Sequence, residues 1–155
     1  MPTPAAAPGP RYAALLQLLR TAEGLWESSR VFFAEWDLSQ SQFNVLNLLR
    51  DEREGLSQVE LSRALIMHRS NVTGLVDRLE KRGLVERLAV PADRRVHRVR
   101  ATAAGKALMK RILPHYHRAA EQVLGHLSPA KASRLVKDLE QISANARSVA
   151  VAGDV

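Results

Sequence analysis

The chain has no cysteine. That absence excludes disulfides, zinc sites built on thiolates, cysteine nucleophiles and any thiol-based oxidant sensor. Long apolar runs are missing too: no segment approaches about 18 uncharged apolar residues, so the chain is not expected to span a membrane. The first ten residues, MPTPAAAPGP, lack the basic start and apolar run of a signal peptide. Their proline steps and Gly9 read as a disordered leader, and the expected compartment is the cytoplasm. There is no internal repeat, nucleophile elbow, phosphate-cradling glycine loop or acid/base carboxylate pair, so no enzyme activity and no cofactor are expected. Of the five histidines, His115 and His117 stand two apart on a helix and project about 200° from each other. With no cysteine or paired carboxylate nearby, no metal site is expected.

What the chain does have is positive charge, unevenly spread. Lys and Arg outnumber Asp and Glu by 23 to 16 over 155 residues, a formal net charge of +7. Between Leu56 and Thr102 the count is ten against five, so +5 sits in under a third of the length. A surplus of this kind suits a surface that displaces counterions from a polyanion, either nucleic acid or an acidic membrane. Here the basic residues keep company with helix and hairpin signals rather than lining one amphipathic helix, which favours nucleic acid.

At 46% apolar content the chain can bury one sizeable core. From Arg11 to Trp36, the positions Leu15, Leu18, Ala22, Leu25, Phe32 and Trp36 recur at helical spacing, and Leu16, Leu19, Trp26 and Phe33 widen the apolar surface beyond one stripe. A helix apolar on more than one side has more to bury than a small core can cover, which points to a subunit interface. Ser39 with Gln42 forms a capping box, flanked by a Leu38 and Phe43 staple; Ser57 with Glu60, flanked by Leu56 and Leu61, repeats the signal. The second box opens a short helix over 58–65, with Ile66 to His68 as a turn. The next helix puts Val72, Leu75, Val76 and Leu79 on one buried face and ends at Gly83, leaving Arg69, Ser70, Asn71, Thr73, Asp77, Arg78 and Lys81 outside. Leu84 to Leu88 reads as a strand, Pro91 to Arg94 as a turn and Arg95 to Ala101 as the returning strand. Val96 and Val99 have opposite parity, so either one faces outward or a bulge intervenes. Thr102 caps a helix toward Leu124 that Pro114 should kink. Ser128 and Pro129 start a last helix with Leu135, Leu139, Ile142 and Ala146 as its stripe.

Helix, turn, helix and hairpin make a winged helix-turn-helix, mainly α with a small two-stranded β wing. Its second helix fits a major groove. Asn71 can bond adenine through two hydrogen bonds, Thr73 can meet a thymine methyl or an acceptor, and Arg69 can read guanine or hold a phosphate. Ser70, Arg78, Lys81 and Arg98 suit phosphates, which position without specifying. Arg94 or Arg95 can enter a narrow minor groove, with Asp93 orienting an arginine rather than touching DNA. A polar helix face is often only solvated, and Arg98 and Arg100 fit ordinary strand surface equally well. His68 and His97 are read as solvated surface or phosphate contacts.

These stretches also resemble a family, the MarR transcriptional regulators, over about residues 11–147. The resemblance lies in LSQVELSRAL, in HRSNVTGLVDRLEKRGLVER, and in a wing signature of Asp93, Arg95, Ala101-Thr102 and Gly105; Ala101 stands where leucine is usual. It implies a homodimer joined by its terminal helices, a near-palindromic operator in double-stranded DNA, blocked transcription, and release by small phenolic or other anionic effectors. It also implies Arg95 as the inserted wing residue and Asp93 as its support. The expected organisation is a leader over 1–10, a helical dimerisation region from 11–37 and 103–147, the DNA-binding domain at 38–102 and a flexible tail at 148–155. Trp26, Arg30 and Phe33, with His115 and Tyr116, form a candidate pocket for an aromatic acid; the same aromatic stripe would equally serve core or dimer interface. A low-specificity architectural DNA-binding protein and a winged-helix protein-interaction adaptor are the alternative functions.

Overall fold

The computed structural model describes residues 9–65, 69–90 and 93–152. For residues 69, 90, 93–96 and 150–152 it describes only the backbone. In order the elements are α1 (Pro10–Ala34), α2 (Gln40–Leu49), β1 (Leu56–Ser57), α3 (Gln58–Leu65), α4 (Arg69–Lys81), β2 (Val85–Val90), β3 (Asp93–Ala101), α5 (Ala103–Leu124) and α6 (Pro129–Ala152). They fall into two compact units, one reaching Lys110 and the other starting at Arg111.

The local start signals act where the sequence puts them. Ser39 Oγ accepts from the Gln42 amide at 3.1 Å while Gln42 Oε1 accepts from the Ser39 amide at 2.8 Å. Ser57 and Glu60 repeat the exchange at 3.2 and 2.7 Å. The Ser57 amide and hydroxyl, together with Arg98, hold the Glu60 carboxyl below its ordinary pKa. At the far end of α4, Gly83 takes φ +67° and the Leu84 amide reaches back to the Leu79 carbonyl at 3.0 Å, closing the helix. The first helix ends two residues short of Trp36, because Asp37 adopts φ +52° and the Leu38 amide bonds the Phe33 carbonyl at 3.1 Å. The turn assigned to Ile66–His68 lies outside the described residues.

The core of the first unit forms where α1, α2, α3, α4 and the sheet meet. Phe33 stacks on Phe43 with ring centroids 4.4 Å apart. Leu46, Leu49, Leu61, Val72, Val76, Leu79 and Val99 are all fully buried. By contrast Tyr12, Leu15, Leu19 and Trp26, which share one face of α1, are each about half exposed or more, from 51% to 58%. In the second unit α6 shows Leu135, Ile142 and Val149 at seven-residue intervals, also exposed.

Three features refine or correct the expectation. The sheet has three strands, in the order β1-β3-β2, rather than two. Leu56 and Ser57 pair with Val99 and Arg98, and a two-residue strand is too short to show alternation. Gly55 makes the approach possible: at φ +69°, a Cβ there would lie 2.4 Å from the Val99 carbonyl oxygen. Second, the parity of Val96 and Val99 resolves as a bulge, since Ala89 pairs with His97 and Val90 with Asp93, leaving three residues of β3 unmatched. Third, α6 continues past Ser148 to Ala152, because Ala, Val and Ser carry no breaker there. Helix α5 runs on through Pro114.

Candidate nucleic-acid interface

Helix α4 presents two chemically distinct sides. Val72, Leu75, Val76 and Leu79 are buried at 0–5% exposure and lock it to the core. Ser70, Asn71, Asp77, Arg78 and Lys81 are exposed, whereas Thr73 and Gly74 are half-buried. The Arg69 side chain lies outside the described residues.

Beside this helix runs an open groove of about 380 Å³, lined by Ser70, Asn71, Gly74 and Arg78 from α4 and by Ser39 and Ser41 from the start of α2. Arg78 lies along Gly74, where an added Cβ would sit 3.7 Å from its Nη1. The groove thus combines hydroxyls, an amide and a guanidinium, a set that suits phosphate oxygens and base edges. Ser39 and Ser41 were missed from sequence as site residues. Ser39 announces itself as a cap, but nothing local says that α2 begins next to α4.

Thr73 is less available than its position implies. Its hydroxyl donates to Gln58 Oε1 at 3.1 Å and ties α4 to the first turn of α3. Gln58 is therefore a second residue that sequence reasoning overlooked.

The wing uses its arginines unequally. Arg98, expected at a phosphate, instead donates to the Glu54 carbonyl at 3.0 Å and the Gly55 carbonyl at 2.7 Å, with Glu60 at 3.6 Å. Its guanidinium is occupied in holding β3 to the loop before α3. Arg100 pairs with Glu86 at 2.7 Å across the β2–β3 ladder. Arg87 ion-pairs with both Asp77 and Glu80. Burial alone would lower its pKa, but Asp77 and Glu80 hold it above the ordinary guanidinium value. Among the described residues, Arg78 and Lys81 are exposed cations with no ion pair. Asp93, Arg94 and Arg95 have backbone placed in β3, but their side chains lie outside the described residues, and His97 is exposed.

The residues assigned to an effector pocket are not of one kind. Phe33 is fully buried in the core against Phe43 and so cannot wall an open site. Trp26 is 52% exposed on α1, and Arg30 donates to Glu27 at 3.0 and 2.6 Å on the same helix. His115 and Tyr116 belong to the second unit, one exposed and the other half-buried. Among the described residues no helix is long and apolar enough to cross a membrane, and no cluster of three or more His, Asp or Glu could hold a metal ion.

Comparison with known proteins bears on what this interface meets. A model of the MarR family matches residues 38–97. The transcriptional regulator HosA of Escherichia coli O111:H- is 34% identical over 92 residues, 59% of this chain and 67% of its own length. The transcriptional repressor YetL of Bacillus subtilis is 31% identical over 109 residues, 70% of this chain and 65% of its own length. The chain thus spans about two thirds of each of these relatives. Among solved structures, BpsR of Bordetella bronchiseptica, described with regulation of its DNA binding by 6-hydroxynicotinic acid, superposes with a TM-score of 0.68 at 28% identity. That match covers 82% of this chain and 98% of BpsR.

Proposed function

This chain belongs to the MarR family of transcriptional regulators, and from that premise we propose that it is a sequence-specific regulator of double-stranded DNA, a repressor that a small anionic or aromatic ligand releases. The observation that carries the reading is the two-sided α4, its apolar side buried in the core and its polar side standing beside the hydroxyl-lined groove. Asn71, with Ser70 and Arg69, reads base edges in the major groove. Arg78, Lys81, Ser39 and Ser41 meet phosphates, and Arg94 and Arg95 at the wing tip, steadied by Asp93, take the minor groove. The description of YetL as a repressor supports repression, and the regulation of BpsR DNA binding by 6-hydroxynicotinic acid supports an aromatic acid as effector.

The working form is a homodimer joined by its terminal helices, which sets two copies of α4 about one DNA turn apart on a near-palindromic operator. One such module alone contacts too little DNA for a useful specificity ratio. Ligand binding then favours a dimer conformation in which the two helices no longer match the half-sites. Binding chromosomal DNA puts the protein in the cytoplasm, and its role contains no catalytic step.

Two substitutions separate reading from holding. Asn71→Ala is expected to relax preference at one base pair per half-site, costing about 1–3 kcal/mol there and little elsewhere. Arg78→Ala is expected to weaken all duplexes alike and to reduce the slope of log affinity against log salt by about one per subunit. Titration of a matched and a scrambled duplex at several salt concentrations checks both. Equal losses on both duplexes for Asn71→Ala would remove that residue from base reading.

A further inference from the structure

Arg87 sits where a guanidinium is out of place. It lies on β2 directly opposite Val99 of β3, and opposed residues of an antiparallel pair project to the same face. Val99 is fully buried, so Arg87 is on the inner face of the wing, with only 23% of its side chain exposed. An apolar residue could pack there, and an ion pair whose carboxylates stay partly exposed adds little stability of its own. The fold alone gives no reason for an arginine.

Its partners supply one. Nη2 donates to Asp77 and Nη1 to Glu80, two carboxylates one turn apart on α4, and the Arg87 amide donates to Glu80 Oε1 at 3.2 Å. One residue of the wing thus grips the reading helix at three points, through a planar fork that fixes direction as well as distance. It also offsets half of the negative charge that Asp77 and Glu80 place on the helix that must approach phosphates.

Resting on the DNA-binding reading above, we propose that Arg87 is a positioning residue, whose forked hold on Asp77 and Glu80 sets the wing's angle to α4 so that one subunit can occupy major and minor groove together. It touches no DNA itself. Its removal should cost wing contacts selectively, because α4 remains anchored by its own buried face.

The test is hydroxyl-radical footprinting and titration of the full-length protein on a duplex recovered by selection from a random pool. Arg87→Lys keeps the charge but not the fork. It should keep the wild-type thermal midpoint and major-groove base preference, lose protection of the flanking minor groove, and weaken binding about tenfold. A paired Asp77→Asn and Glu80→Gln variant, with Arg87 intact, should lose the same protection. Unchanged flanking protection in Arg87→Lys would overturn the proposal. A large fall in its thermal midpoint would also overturn it, by making Arg87 a residue of the fold. If the wild type itself protected no duplex, the DNA-binding reading would have failed, an outcome distinct from both.

Discussion

Replacing Gly105 with alanine is expected to destabilise the protein by about 3 kcal/mol and lower its thermal midpoint by roughly 10 °C. Helix propensity argues the other way: in the first turns of a helix alanine is favoured over glycine by about 1 kcal/mol. Packing decides the sign. A Cβ at Gly105 would lie 2.1 Å from the Leu84 carbonyl oxygen and 3.5 Å from Leu46 Cδ2. Backbone cannot swing aside as a flexible side chain would, and here it is pinned. Thr102 accepts from the Gly105 amide at 3.1 Å, donates from its hydroxyl to the Gly83 carbonyl at 2.6 Å, and gives its own amide to the Leu84 carbonyl at 3.1 Å. Alanine must therefore push α5 off the base of the wing or break this cap. Thermal and urea denaturation of the variant measure the effect. A midpoint at or above wild type would show that α5 does not press on Leu84 as described.

Leu19→Glu is expected to yield a folded monomer that binds operator DNA at least about a thousandfold more weakly. Leu19 is 58% exposed and shares its face of α1 with Tyr12, Leu15 and Trp26, so a charge there leaves the core around Phe33 and Phe43 intact. The same charge inside a subunit interface would be desolvated without a partner, which an interface does not tolerate. Loss of the dimer removes the second half-site contact, and its contribution lies in effective concentration rather than in any added bond. Sedimentation velocity reports the mass, and titration of a two-half-site duplex reports the affinity. A variant that remains dimeric with unaltered affinity would take this face of α1 out of the interface.

Much of the fold was legible because its signals are local. The boxes at Ser39/Gln42 and Ser57/Glu60 need only residues three apart, and the buried face of α4 needs only a period of 3.6. What was illegible depends on residues distant in sequence. Strand β1 exists because Gly55 can lie against the Val99 carbonyl, 44 positions on in the chain. Arg98 resembles every other basic residue of the wing until the Gly55 carbonyl and Glu60 are seen beside it. The same holds for Thr73, whose hydroxyl is taken by Gln58, and for Phe33, whose helical spacing fits a pocket wall as well as the core it occupies. The basic surplus points to a region but not to residues, since Arg87, Arg98 and Arg100 pair within the protein. Gly105 was noticeable as part of a wing signature, yet its reason lies in the carbonyl it faces.

The central claim is that a dimer of this chain reads a particular DNA sequence through α4. Its most direct test is to select duplexes bound by the purified protein from a random pool at roughly physiological salt and to sequence them. The expected product is an inverted repeat with half-sites about 10 base pairs apart, centre to centre. Recovery of bound duplexes with no shared motif, or of none at all, would contradict it.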